Sequence, residues 1–239
     1  MEQKLSRKEL KQMVRHDRFA EEVGHTVEYV AGHKKQFVIY GILALLLIVG
    51  GGITYWYMQR QHAVRQAELY QALRVQDASI GPPQNEFALA FPTSAEKQKA
   101  VAEAFQGILN KYPRTDEGLI ARYYLGVNAA DQGKPQDAEA HFRAVADSGQ
   151  KEYASLARLA LADLLASQGR TEEAEKLLRT LVDNPTIFVS KEHATIELGK
   201  LIGESKPEEA RKLLEPLRTE RSAISRAALT ALSKIPAKK

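Results

Sequence analysis

The sequence predicts an all-α protein: a single N-terminal transmembrane helix followed by a helical-hairpin superhelix of about three to four degenerate repeats. Three observations carry this. The stretch "FVIYGILALLLIVGGGITYWYM", Phe37 to Met58, contains no charged residue. The phrase "QGKPQDAEAHFRAV" from Gln132 is rewritten as "QGRTEEAEKLLRTL" from Gln168, 36 residues on. Within both phrases the apolar or small residues fall at i, i+3, i+4, i+7 and i+8, the stripe of an amphipathic helix.

The tail, residues 1–36, reads as largely helical. Ser6 and Glu9 can form a capping box, and Leu10, Met13, Val14, Val23, Val27 and Val30 approximate one face. The favoured reading is a helix lying near the membrane, with Lys34 and Lys35 at the headgroups; a docking helix for a cytoplasmic partner is the sharper alternative. From Phe37 to Met58, 22 residues at about 1.5 Å each span about 33 Å, matching a hydrocarbon core of about 30 Å. Tyr55, Trp56 and Tyr57 suit one interface, and Tyr40 lies nearer the other. A cleaved signal peptide would have a shorter apolar core and small residues at its exit, so the span reads as retained. Near the span, Lys34 and Lys35 balance Arg60 and Arg65, and context breaks the tie. The tail holds eight Lys/Arg, whereas long C-terminal domains translocate largely regardless of charge. The expected orientation is N-terminus in the cytoplasm and repeats outside it.

Residues 59–94 read as a juxtamembrane helix and a loop. Ala63 to Ala78 extends the membrane helix outward and is available as the first half of the first repeat. "SIGPPQNEFALAFPTS", residues 79–94, then breaks regularity with Gly81, Pro82, Pro83 and Pro92. Its Phe87, Leu89 and Phe91 are expected to tuck onto the repeats, in preference to forming a weak exposed strand.

From residue 95 to 239 the stripe recurs. It runs Val101, Ala104, Phe105, Ile108, Leu109; then Ala138, His141, Phe142, Val145, Ala146; then Ala174, Leu177, Leu178, Leu181, Val182; then Ala210, Leu213, Leu214, Leu217. Each later stripe follows a helical segment that ends near a glycine: Ile120 to Asp131 before Gly133, Leu156 to Gln168 before Gly169, His193 to Ile202 before Gly203. Thr93 with Glu96, and Ser205 with Glu208 and Pro207 in the first turn, read as helix starts. Helices this short cannot bury a face alone, so neighbours must cover it and the end of the stack needs a C-terminal capping helix. On these residues the chain resembles the tetratricopeptide repeat family. "ARYYLGVNAADQGKPQDAEAHF" has small Gly126 in the first helix, Gly133 at the turn, and Ala138 then Phe142 in the second; "KYPRT" at 111–115 supplies the Tyr-Pro that often follows a second helix there. The resemblance covers roughly residues 95–220. It departs where the usual first-helix Trp is missing near Arg122, and where the third first helix is displaced by one residue.

Composition narrows the function. The net charge of +4 and the pI of about 9.1 invite a nucleic-acid reading. Yet the tail has eight basic and six acidic residues, residues 59–239 have 26 and 24, and no block concentrates charge with aromatics. Those charges read as solvated helix faces, and no nucleic-acid partner is expected. With no cysteine there is no disulfide framework and no cysteine–zinc site. His16, His25, His33, His62, His141 and His193 are scattered without ligand spacing, and His141, on an apolar stripe, reads as a packed side chain. No phosphate loop or nucleophile elbow occurs, so no catalytic, metal or cofactor residues are assigned. Gly50 to Gly52 lack a GxxxG partner and read as glycine tolerated in a span.

Binding is the economical use of a repeat array on one anchor. The tetratricopeptide resemblance implies that the first helices line a concave face, with Tyr123, Val127, Ala130, Leu156, Leu159 and Asp163 as the candidate protein-binding groove. A carboxylate-clamp version would need Lys and Asn at matching places, where this chain has mostly apolar residues. That favours extended hydrophobic segments over charged termini. The whole-chain plan of basic tail, one span, degenerate repeats and C-terminal helix resembles the YfgM-like ancillary subunits of the bacterial Sec translocon. That resemblance implies a bacterial inner-membrane protein with periplasmic repeats, acting as a chaperone-like accessory for emerging or unfolded proteins. The alternative is a structural scaffold organising one fixed cell-envelope complex.

Overall fold

A computed structural model describes residues 34–83, 85, 88–219 and 222–236. The expectations for the tail up to His33, including the Ser6 capping box, lie outside the described residues, as does that for Phe87. The chain divides into two compact units, Met1–His62 and Ala63–Lys239.

The first unit contains most of helix α1 (Lys34–Gln76), which runs unbroken for 43 residues. From Val38 to Met58 every side chain is exposed, Leu47 by 77% and Trp56 by 61%, and nothing in the described structure covers them. A helix apolar all round is a membrane span or a buried core element, and burial is absent here. This helix is therefore long and apolar enough to cross a membrane. At the end of the apolar stretch the Arg60 guanidinium lies 5.5 Å from the Trp56 ring centroid, a cation–π contact suited to an interface.

In the second unit, the far end of α1 becomes part of the repeat stack. Leu69 and Ala72 are buried with Val101, Phe105, Ile108 and Leu109 of α2 (Ser94–Lys111) and with Ala121 and Leu125 of α3 (Asp116–Asp131). The end of α1 and α2 are thus the first hairpin. Then come α3 with α4 (Pro135–Ala146), α5 (Lys151–Ser167) with α6 (Thr171–Asp183), and α7 (Lys191–Ile202) with α8 (Pro207–Leu214). A 3₁₀ turn (Glu215–Thr219) leads into α9 (Ser222–Ser233), which packs on α7 and α8 and buries Ala228, Ala231 and Ile235. Burying that last apolar face is what a stack of this kind requires at its end.

The 36-residue phrase is legible in the packing. Ala138, Ala174 and Ala210 are each fully buried where paired helices meet. Gly126 and Gly199 face the second helix of their own hairpin: a Cβ on Gly126 would sit 2.7 Å from Phe142 Cε1, and one on Gly199 would sit 2.7 Å from Leu214 Cγ. Only a hydrogen fits there. The first two turns share a Schellman geometry. Gly133 N–H donates to Ala130 O and Lys134 N–H to Ala129 O; Gly169 N–H donates to Ala166 O and Arg170 N–H to Leu165 O. The glycines sit at φ +66° and +77°, a region costly for residues with a Cβ. The third turn differs. Gly203 stays in the right-handed helical region, and the turn lengthens until Lys206 N–H reaches Ile202 O at 2.7 Å.

Helix starts follow the expected chemistry with one correction. Thr93 accepts from Glu96 N–H as the spacing predicts, and Thr115 and Ser190 cap α3 and α7 in the same way. Ser205 does not cap α8: its hydroxyl donates back to Ile202 O, and the N-cap is Lys206 with no side-chain bond. Pro207 at the first helical position fixes the start one residue later than the capping box implies. The loop after α1 is partly ordered as a two-residue parallel pair, Ser79–Ile80 with Ala90–Phe91. Phe91 is half-buried, whereas Leu89 stays 40% exposed and does not tuck in.

Charges taken as solvated faces are also paired from one repeat to the next. Arg170 reaches Glu139 at 2.7 Å and Arg143 reaches Glu173 at 3.1 Å. One repeat on, Lys206 reaches Glu175 at 2.7 Å and Arg179 reaches Glu209. Hydrogen bonds from Arg170 first, then Arg143, hold Glu139 below the usual carboxylate range, and Lys206 then Arg179 do the same for Glu175. Most partners remain partly in water, so each pair contributes modestly and the ladder matters mainly for register.

Candidate protein-binding face

The first helices of successive hairpins, α3 and α5, touch each other directly, so their outward-facing residues form one continuous face. Tyr123 and Val127 on α3, with Leu156 and Leu159 on α5, are half-buried and packed against the main core. They are at once the rim of the core and the floor of the face. Ala130 and Asp163 are exposed.

A chain of aromatic contacts leads from the buried first cluster onto this face. Phe105 stacks on Tyr124 with centroids 4.9 Å apart. Tyr124 meets Tyr123 edge-on at 5.4 Å, Tyr123 meets Tyr153 at 5.9 Å, and Tyr153 meets Phe188 at 5.5 Å. Tyr124, Tyr153 and Phe188 are the residues that sequence reasoning misses. Phe188 lies in the connection between α6 and α7, where no periodicity marks it. That connection is held in place from beneath: Val189 is fully buried, and Thr186 Oγ1 lies 2.7 Å from Ser155 Oγ. Above it Phe188 remains 44% exposed and Ile187 84% exposed. A fixed loop with its large apolar side chains in solvent extends the face beyond α5.

The electrostatics of the face are those of a crowded surface. Burial raises the Tyr123 hydroxyl above its ordinary value, with Tyr124, Tyr153 and Asp163 adding to the effect. Asp163 is exposed to solvent, yet desolvation by surrounding protein raises its carboxyl; Glu197 adds repulsion, and His193 and Lys200 oppose it. On α4, His141 is half-buried and its imidazole is lowered by burial and by Arg122, with Asp137 opposing. It is a packed side chain.

These elements define a helical-repeat interaction domain continuous with a helix able to cross a membrane. The sequence profile of the tetratricopeptide repeat-like domain matches residues 33–189, and the chain belongs to that family. The matched region takes in the apolar helix itself as well as the hairpins through α6. No curated protein and no solved structure matches the chain. Domains of this family serve protein–protein interaction, which sets the class of partner.

Proposed function

We propose that the chain is a single-pass protein of the bacterial inner membrane, with a cytoplasmic N-terminus and a periplasmic repeat stack that captures extended segments of emerging or unfolded proteins near the Sec translocon. The observation that carries this reading is the continuous apolar and aromatic face from Tyr124 through Tyr123 and Tyr153 to Phe188, floored by Val127, Leu156 and Leu159. Such a face has little means of holding a charged terminus and offers broad, orientation-tolerant contact to apolar side chains. The association with the translocon rests on the whole-chain resemblance to the YfgM-like subunits alone.

Charge placed on the face tests the capture. Tyr123→Asp and Leu159→Asp are expected to abolish suppression of aggregation of a reduced, unfolded client by the full chain in nanodiscs. Both residues lean on the core, so part of the cost appears as lost stability. Phe188→Asp, at an exposed position, separates the two effects: helicity by circular dichroism is expected to stay at the parent level while suppression falls. Unchanged suppression in all three variants would exclude this face as the client site. A parent that suppresses nothing and copurifies with one folded envelope complex would favour the scaffold reading.

Orientation has its own test. A reporter active only outside the cytoplasm is expected to work when fused after Lys239 and to fail when fused before Phe37. The reverse pattern would move the repeats into the cytoplasm.

A further inference from the structure

The apolar face contains one side chain that apolar capture does not use. Asp163 makes no hydrogen bond or ion pair among the described residues, although cations stand near it. Lys200 on α7 is bound instead to Glu197 at 2.7 Å, and His193 approaches the same Glu197 at 3.9 Å. Glu197 thus holds the Lys200 ammonium and also repels Asp163. The arrangement is paired tyrosine rings on the same face as an unpaired carboxylate, with the hydroxyls of Tyr123 and Tyr153 making no hydrogen bond among the described residues.

We infer that the segment held by this face carries a basic side chain, arginine or lysine, close to an aromatic or large aliphatic one, with the basic head at Asp163 and the apolar side chain on Tyr123 and Tyr153. The inference rests on the reading of this face as the binding surface and adds the charge of its partner. Charge complementarity carries it. A guanidinium or ammonium brought to Asp163 supplies the partner that Glu197 withholds, and it meets tyrosine rings whose faces attract cations. A neutral apolar segment leaves the carboxylate crowded and unpaired, and an acidic segment adds repulsion. The face therefore discriminates by charge as well as by apolar contact.

The test uses the full chain in nanodiscs and two fluorescein-labelled decapeptides, acetylated and amidated, each with one phenylalanine two residues from the variable position. One peptide has arginine there and the other citrulline, which keeps the shape and removes the charge. Fluorescence anisotropy at low salt is expected to show the arginine peptide binding about five- to tenfold more tightly. Asp163→Asn is expected to erase that preference with helicity unchanged, and added salt to narrow it. Equal binding of the two peptides to the parent, lost in Phe188→Asp, would overturn the inference and leave the apolar face as the binding surface. Binding of neither peptide would remove the face as a binding surface, and the inference with it.

Discussion

Replacing Phe105 by alanine is expected to destabilise the Ala63–Lys239 unit by about 3–5 kcal/mol, the range for an aromatic side chain removed from a core. Phe105 is fully buried, packs among Leu69, Val101, Leu109 and Leu125, and stacks on Tyr124 at 4.9 Å. Its removal leaves a cavity that the facing helices can close only in part. In a unit of this size the unfolding midpoint drops by about 2–4 °C per kcal/mol, so a fall of about 6–20 °C is expected. The damage is also expected to be local. The buried residues around Phe105 form one cluster, from Leu69 to Leu125, separate from the cluster that runs from Ala129 to Ile235. In a stack where each repeat touches only its neighbours, stability is a sum of local contributions. Hydrogen exchange read by segment should therefore show lost protection in α2 and α3 and near-parent protection in α7 and α9. Equal loss in all segments would mean that the two clusters unfold as one.

What the sequence made legible follows from how strongly each feature is written in it. The span is dense in apolar residues and lacks charge, so Val38 to Met58 could be read by counting. The repeat is legible at Ala138, Ala174 and Ala210 because helix contact leaves no room for more than a methyl, and the same constraint shows at Gly126 and Gly199. The ion-pair ladder is written in the sequence too, but only across copies. Glu139 and Glu175, Arg143 and Arg179, and Glu173 and Glu209 each recur after 36 residues, but polar positions compared within one helix look like ordinary solvated charge. Comparison across copies is the signal that would have found them. The Tyr153–Phe188 contact is not legible, because it joins the first turn of α5 to the connection between α6 and α7, and no periodicity pairs them. The start of α8 was misplaced for a local reason: Ser205 can satisfy either the helix before it or the helix after it, and pattern alone does not say which.

The strongest electrostatic prediction lies at the join between α1 and the stack. Arg65 Nε on α1 donates to Glu117 Oε2 in the first turn of α3 at 3.1 Å, with only 4% of the Glu117 side chain exposed. Burial pushes the Glu117 carboxyl up. Its own backbone N–H, the Arg65 hydrogen bond, the Thr115 hydroxyl and the Arg65 charge together outweigh burial, so its net position is below the ordinary 4.5. A carboxyl lowered on folding contributes stability above its unfolded value and loses that contribution as pH falls through the folded value. In Arg65→Met the burial remains while the Arg65 hydrogen bond and charge are gone, so the carboxyl rises and its charged form becomes costlier. The expected cost at pH 7 is about 2 kcal/mol. It falls short of the about 3–5 kcal/mol of fully buried pairs because Arg65 keeps some solvent contact and the N-terminus of α3 still favours an anion. Protonation removes the liability, so the gap between variant and parent should be clearly narrower at pH 4 than at pH 7 in denaturant titrations. Arg65→Met combined with Glu117→Gln should recover much of the loss at pH 7, since the buried charge is then removed along with its cation. A gap that stays constant between the two pH values, with no recovery in the double variant, would show that Arg65 acts through the packing of its aliphatic stem and that the ion pair contributes nothing to holding α1 in the first hairpin.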